Sequence, residues 1–111
     1  MSTFVYKTLG QAAPANTSNA DIYTVPAGRA TIVSSIVICN VTGTAATYNI
    51  YQRIAGATAS VSNAIVYGAT VPANTTNTVE VKITLAATDV LTVASGTGSA
   101  LTYTVNGSEI Y

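Results

Sequence analysis

The sequence predicts an all-β fold: an antiparallel β-sandwich, Ig-like or jelly-roll-like, of about eight short strands. Three observations predict it. Residues 30–41 (A-T-I-V-S-S-I-V-I-C-N-V) are the most continuously apolar and β-branched run in the chain, and such residues suit a pleated surface. Residues 46–54 and 78–85 alternate apolar and polar side chains with the period of two that places them on opposite faces of a strand. Clusters of Gly, Pro, Asn and Ser punctuate the short apolar runs, and no stretch carries a convincing helical period. Without a crossover helix the strands are expected to pair antiparallel.

Taken in order, residues 3–9 form a short strand with Phe4, Tyr6 and Thr8 on one face. Residues 10–20 are small, polar and turn-rich, and read as a long loop or an arm. The chain therefore divides into an N-terminal strand and loop or arm, 1–20, and a sandwich domain, 21–111. The arm is expected to contribute more to contacts between chains than to its own core. Residues 21–25 are a second strand. In Val25-Pro26-Ala27-Gly28, proline presets φ for a turn and glycine tolerates the conformation that closes it. The string Thr24-Val25-Pro26-Ala27 returns as Thr70-Val71-Pro72-Ala73, which predicts two equivalent corners of one sandwich.

The central strand, 30–41, places Ile32, Ile36 and Ile38 on one face and Val33, Val37 and Cys39 on the other. Both faces are apolar, so both are expected to be covered. Residues 46–54 present Tyr48, Ile50, Gln52 and Ile54 on one face and Thr47, Asn49, Tyr51 and Arg53 on the other. Residues 62–67 are a weaker strand. Residues 78–85 turn Val79, Val81, Ile83 and Leu85 inward and Glu80, Lys82 and Thr84 outward. Residues 90–94 are short and apolar, and 95–99 (S-G-T-G-S) are a turn. Residues 100–105 place Leu101, Tyr103 and Val105 on one face, and Asn106-Gly107 is expected to break that strand.

The totals bound what this sandwich does. At 111 residues the chain is one domain. Charged residues are 7% of the chain, four basic and four acidic. Such a surface neutralises few phosphates, so neither nucleic acid nor an anionic membrane is an expected partner. A surface with little charge suits a protein packed in an assembly. The N-terminus lacks a basic stretch followed by an apolar one, so no secretion signal is expected.

The chemistry of catalysis is sparse. There is no histidine, which removes the commonest general base and the usual serine triads. Cys39 is the one cysteine, so no intrachain disulfide and no Cys/His zinc site can form, and it reads as a small buried hydrophobe. The acids Asp21, Glu80, Asp89 and Glu109 are scattered and read as solvated strand and turn charges rather than a hydrolytic pair. The 95–99 turn lacks the Lys-Ser/Thr and the helix of a phosphate loop. The sequons at Asn16, Asn40, Asn74 and Asn106 are chance matches in an Asn/Thr/Ser-rich chain. Tyr6, Tyr23, Tyr48, Tyr51, Tyr67, Tyr103 and Tyr111 are read as core or protein-interface residues, with a sugar platform as the rival. No catalytic, cofactor-binding or metal-binding residue is assigned, no cofactor is expected, and the protein is not expected to be an enzyme.

Several strings together, Leu9-Gly10-Gln11-Ala12-Ala13-Pro14, Tyr23 through Gly28, Ile32 through Asn40, Ile83 through Leu91 and Gly107-Ser108-Glu109, resemble small virion structural proteins of tailed bacteriophages, cyanophages among them. These are capsid decoration (cement) proteins and small tail-associated proteins. The resemblance implies a β-sandwich that self-associates in the virion. The expected function is a capsid cement protein, with the major capsid protein and copies of itself as partners and the capsid surface as its location. A tail or fibre module recognising host glycan is the alternative.

Overall fold

The computed structural model describes residues 3–80 and 82–111; Val81, expected on an inward face, lies outside the described residues. Among the described residues nine strands form: β1 (Phe4–Ala12), β2 (Ala20–Thr24), β3 (Ala30–Asn40), β4 (Ala46–Arg53), β5 (Ala64–Val71), β6 (Thr76–Val79), β7 (Ile83–Leu85), β8 (Val90–Ser95) and β9 (Leu101–Ile110). Two single 3-10 turns, Ile54–Gly56 and Val61–Asn63, lie between β4 and β5. Among the described residues no helix is long and apolar enough to cross a membrane.

The strands make two antiparallel sheets. One has the order β1-β9-β3-β6, with β7 also on β3; the other has the order β2-β8-β4-β5. β6 and β7 are two pieces of one edge, pairing with opposite halves of β3. Consecutive strands change sheet at every connection except β4 to β5 and the break between β6 and β7. That interleaving resolves the sandwich as a jelly roll.

The repeated Thr-Val-Pro-Ala strings are the corners where β2 passes to β3 and β5 passes to β6, both times from the second sheet to the first. Each valine is buried, and each proline starts the turn. The corners sit among different loops. Val25 exchanges backbone bonds with Asp89 and Thr88, whereas Asn74 donates to Thr42 O.

The core lies between the sheets. Val33, Ile36 and Ile38 of β3 meet Tyr48 and Ile50 of β4, Leu91 and Val93 of β8, and Leu101, Tyr103 and Val105 of β9. Tyr103 is buried to 1% exposure because its hydroxyl has a partner, Ser95 Oγ at 2.8 Å.

Three expectations are corrected by the pairing. A β-bulge at Ser34 shifts the phase of β3, so Val33 joins Ile36 and Ile38 inward while Ile32, Val37 and Cys39 lie on the outer face, half-buried. The outer face is therefore not covered, and Cys39 is not a core thiol. The strand expected over 78–85 begins at Thr76 and is interrupted between Val79 and Ile83. Asn106-Gly107 does not break β9, which runs unbroken to Ile110. Glycine is required there because a Cβ on residue 107 would collide with the carbonyl oxygen of Ile32.

Residues 1–20, read as a strand and a loop or arm, include β1 on the outer side of β9 and an irregular connection, 13–19. Among the described residues none of the buried core comes from this segment; Leu9 and Ala20 pack against the core's rim.

Candidate assembly surface

The charged groups are mostly spent inside the fold. Glu109 projects to the inner side of β9 and is buried, 2% exposed. Its Oε1 accepts from Lys7 Nζ of β1 at 3.2 Å and from Arg29 at 3.0 Å, and its Oε2 accepts from Tyr23 Oη of β2 at 2.5 Å. Tyr23 Oη also lies 2.8 Å from Thr31 Oγ1, and the Arg29 guanidinium stacks 3.9 Å from the centre of the Tyr111 ring. One carboxylate thus ties β1, β2, β9 and the entry to β3 together. The Tyr23 hydrogen bond holds the Glu109 carboxyl below its ordinary range, burial opposes it, and Lys7 and Arg29 add to the lowering. Burial, with the bond to Glu109, pushes the Tyr23 hydroxyl up to about 12. A carboxylate so saturated with donors is a clasp between sheets rather than a proton carrier.

Asp89 and Asp21 do equivalent work. Asp89, also buried, accepts from the backbone N–H groups of Ala55 at 2.8 Å and Ala86 at 2.9 Å, fixing two loops. Asp21 accepts from Arg53 at 2.8 Å and from Thr92 Oγ1 at 2.8 Å, so Arg53 of β4 reaches across β8 to β2. The reading of all four acids as solvated charges is corrected for Glu109 and Asp89, which are buried. Glu80 is exposed on the break between β6 and β7. Among the described residues no three His, Cys, Asp or Glu groups gather as a metal would need. Asn40 is buried too: its amide donates to Thr44 O at 2.9 Å and Val71 O at 3.1 Å.

The tyrosines divide in two. Tyr48, Tyr51 and Tyr103 are buried, and Tyr23 is half-buried in the clasp; Tyr6, Tyr67 and Tyr111 are exposed. Tyr6, at 83% exposure, stands beside exposed Phe4 on the outer face of the first sheet, with Ile32 across a shallow hollow over Gly107. Linear pattern placed Phe4 and Tyr6 on one face, but nothing in it located the hollow.

The four sheet edges differ. The edge of β2 is met by β1, where Gly10 lies too close to the Ile22 carbonyl to carry a Cβ. β5 is bulged at Gly68, whose N–H is taken by Asn49 Oδ1 at 2.7 Å. β6 and β7 are four and three residues long, with exposed Glu80 and Lys82 between them. Interruption, bulging and charge all blunt an edge against further pairing. From Phe4 to Thr8, β1 carries neither an interruption nor a bulge, its pairing with β9 being regular until the shift between Thr8 and Gly10, and its one charge, Lys7, is drawn onto its own Glu109.

The fold and these surfaces define a jelly-roll module without an assigned reactive centre. No protein-family model and no curated protein matches the sequence. Solved structures do match its shape. One is a chain from Bacillus endospore appendages described as a family of disulfide-linked pili, 20% identical, covering 100% of this chain and 89% of that one with a TM-score of 0.57. Others are a chain of the infectious bursal disease virus Gt strain, 10% identical with a TM-score of 0.52, and a chain of the T13 particle of the same virus, 11% identical with a TM-score of 0.52. These cover 98% and 99% of this chain but only 32% and 30% of the virus chains, so it spans about a third of their length. At such identities the likeness is one of fold.

Proposed function

We propose that this chain is a structural subunit of a virus particle, and in particular a tailed-phage capsid cement protein that binds over seams between major capsid subunits. The observation that carries the reading is the division of the surface. Most of the charged groups are tied up within the fold, while Phe4 and Tyr6 stand exposed on the outer face of the first sheet beside an uninterrupted edge. Large exposed aromatics of this kind anchor protein interfaces. The neighbours support the reading by analogy, since a pilus and an icosahedral particle are both assembled from repeated chains. Residues 1–20 belong to this surface: they would strengthen contacts between chains and add little to the core. The mechanism is burial repeated over many copies, each interface removing about 1,600 Å² from water.

The whole-length match to a pilus chain favours a second reading, a tail or fibre module. Stoichiometry separates the two. In purified particles a cement protein is expected near one copy per major capsid protein, whereas a tail module is expected below about one in ten, because only the former covers seams over the whole shell. Particles lacking the protein should also lose DNA on mild heating in low salt, where DNA self-repulsion is least screened. Absence of the protein from purified particles overturns both readings.

A further inference from the structure

We propose that the free edge of β1, from Phe4 to Thr8, pairs antiparallel with the same edge of a second copy about a two-fold axis midway between the two Tyr6 residues. The inference deepens the reading of the chain as a self-associating subunit and holds whether the assembled object is a shell or a fibre.

Backbone phase decides which groups of β1 are open. Thr3 and Tyr111 exchange both hydrogen bonds, N–H of Thr3 to O of Tyr111 at 2.5 Å and N–H of Tyr111 to O of Thr3 at 2.9 Å. Along a regular antiparallel pair such bonds recur at every second residue. Val5 and Lys7, opposite Glu109 and Gly107, therefore face β9, and Phe4, Tyr6 and Thr8 turn their N–H and C=O groups to the open side. Among the described residues β1 pairs with β9 alone. Beyond Thr8 the register shifts and β1 meets β2 at Gly10, so the open edge stops there.

What satisfies a row of alternating N–H and C=O groups is another extended backbone. The edge's own sequence fits itself. With Tyr6 opposite Tyr6 of the second copy, Phe4 falls opposite Thr8, and every outward backbone group of the three residues has a partner. The two Tyr6 rings, each 83% exposed in the single chain, become cross-strand neighbours on the outer face. Lys7 falls opposite Val5 of the second copy and remains turned toward its own Glu109 at 3.2 Å, so no like charges meet directly. The first sheet then runs continuously through both copies. The other three edges carry devices that resist this pairing, which is why β1 is the edge assigned.

The test is sedimentation of the full chain between about 10 and 500 µM, a range suited to a short strand pair. Wild type should associate, and Tyr6→Pro should be monomeric with a near-native melt. Proline there removes only an N–H that faces away from β9, a placement edge strands tolerate. Equal association of wild type and Tyr6→Pro overturns the edge pairing and leaves self-association standing; a wild type monomeric throughout overturns both. A second measurement covers the case in which the proline variant does not fold. Residues opposed in a hydrogen-bonded pair have Cα atoms about 5.5 Å apart and Cβ atoms wider than a disulfide takes, a gap that a short bis-maleimide spans. Tyr6→Cys in a Cys39→Ser background should be joined by that reagent into a covalent dimer with native circular dichroism, and failure to cross-link while the protein still associates overturns the proposal.

Discussion

Adding one methyl group at residue 107 would drive it into the Ile32 carbonyl and press it against Leu9 Cδ1 at 3.0 Å. Backbone cannot step aside as a side chain can, so Gly107→Ala is expected to lower stability by about 1–3 kcal/mol or more, read from the urea midpoint. Glu109 gives the second expectation at this scale. Its folded pKa lies below the ordinary 4.5, so the unfolded chain binds its proton more readily. The clasp's stability is complete above about pH 4.5 and is lost as the pH falls through the lowered folded value. Calorimetry should show a melting temperature that drops below that pH in wild type. Glu109→Gln should melt lower at pH 7 and lose this acid-dependent component. Tyr23 works in the opposite sense: with its pKa raised from 10.0 to about 12, stability falls as the pH rises between those values. Both groups were visible in the sequence, but their meeting was not. Tyr23, Arg29 and Lys7 lie 86, 80 and 102 residues from Glu109, and no local pattern encodes a contact at that separation.

At the scale of elements, β1 joins its sheet through one neighbour and gives the core only the flank of Leu9. Deleting residues 1–20 should therefore leave a folded sandwich. The loss of the β9 ladder and of Lys7 should cost about 2 kcal/mol, or roughly 8–16 °C in Tm for a domain this small. Association should disappear with it. Complete unfolding of the truncation by circular dichroism would show that β1 is integral to the domain rather than an appendage. Strand positions were legible because alternation and turn residues are local signals: Tyr48 and Ile50, or Ile83 and Leu85, point inward as their period demands. Strand phase was legible only where the ladder is regular. The extra residue at Ser34 turns Ile32 outward, and a bulge is set by pairing with β9 rather than by the residues beside it.

At the scale of the whole molecule, an antiparallel sandwich followed from composition and period, whereas the interleaved order of the sheets did not. The Thr-Val-Pro-Ala corners announced two equivalent passages but not which sheets they join. That order has a consequence in time. β9 is the last strand of the domain to be made, yet it lies between β1 and β3 at the heart of the first sheet. While a ribosome adds residues at about 5–20 per second, β1 waits for a partner that does not yet exist. Val33, Ile36 and Ile38 likewise wait for the side chains of Leu101, Tyr103 and Val105. Nascent chains arrested before Leu101 should thus remain protease-sensitive, and protection should appear in one step once Ile110 has cleared the exit tunnel. Gradual protection with length would mean that the second sheet forms alone. For a molecule whose open edge invites pairing, the interval between synthesis of the first strand and the ninth is when stray association is most dangerous, and chaperone demand should be concentrated there.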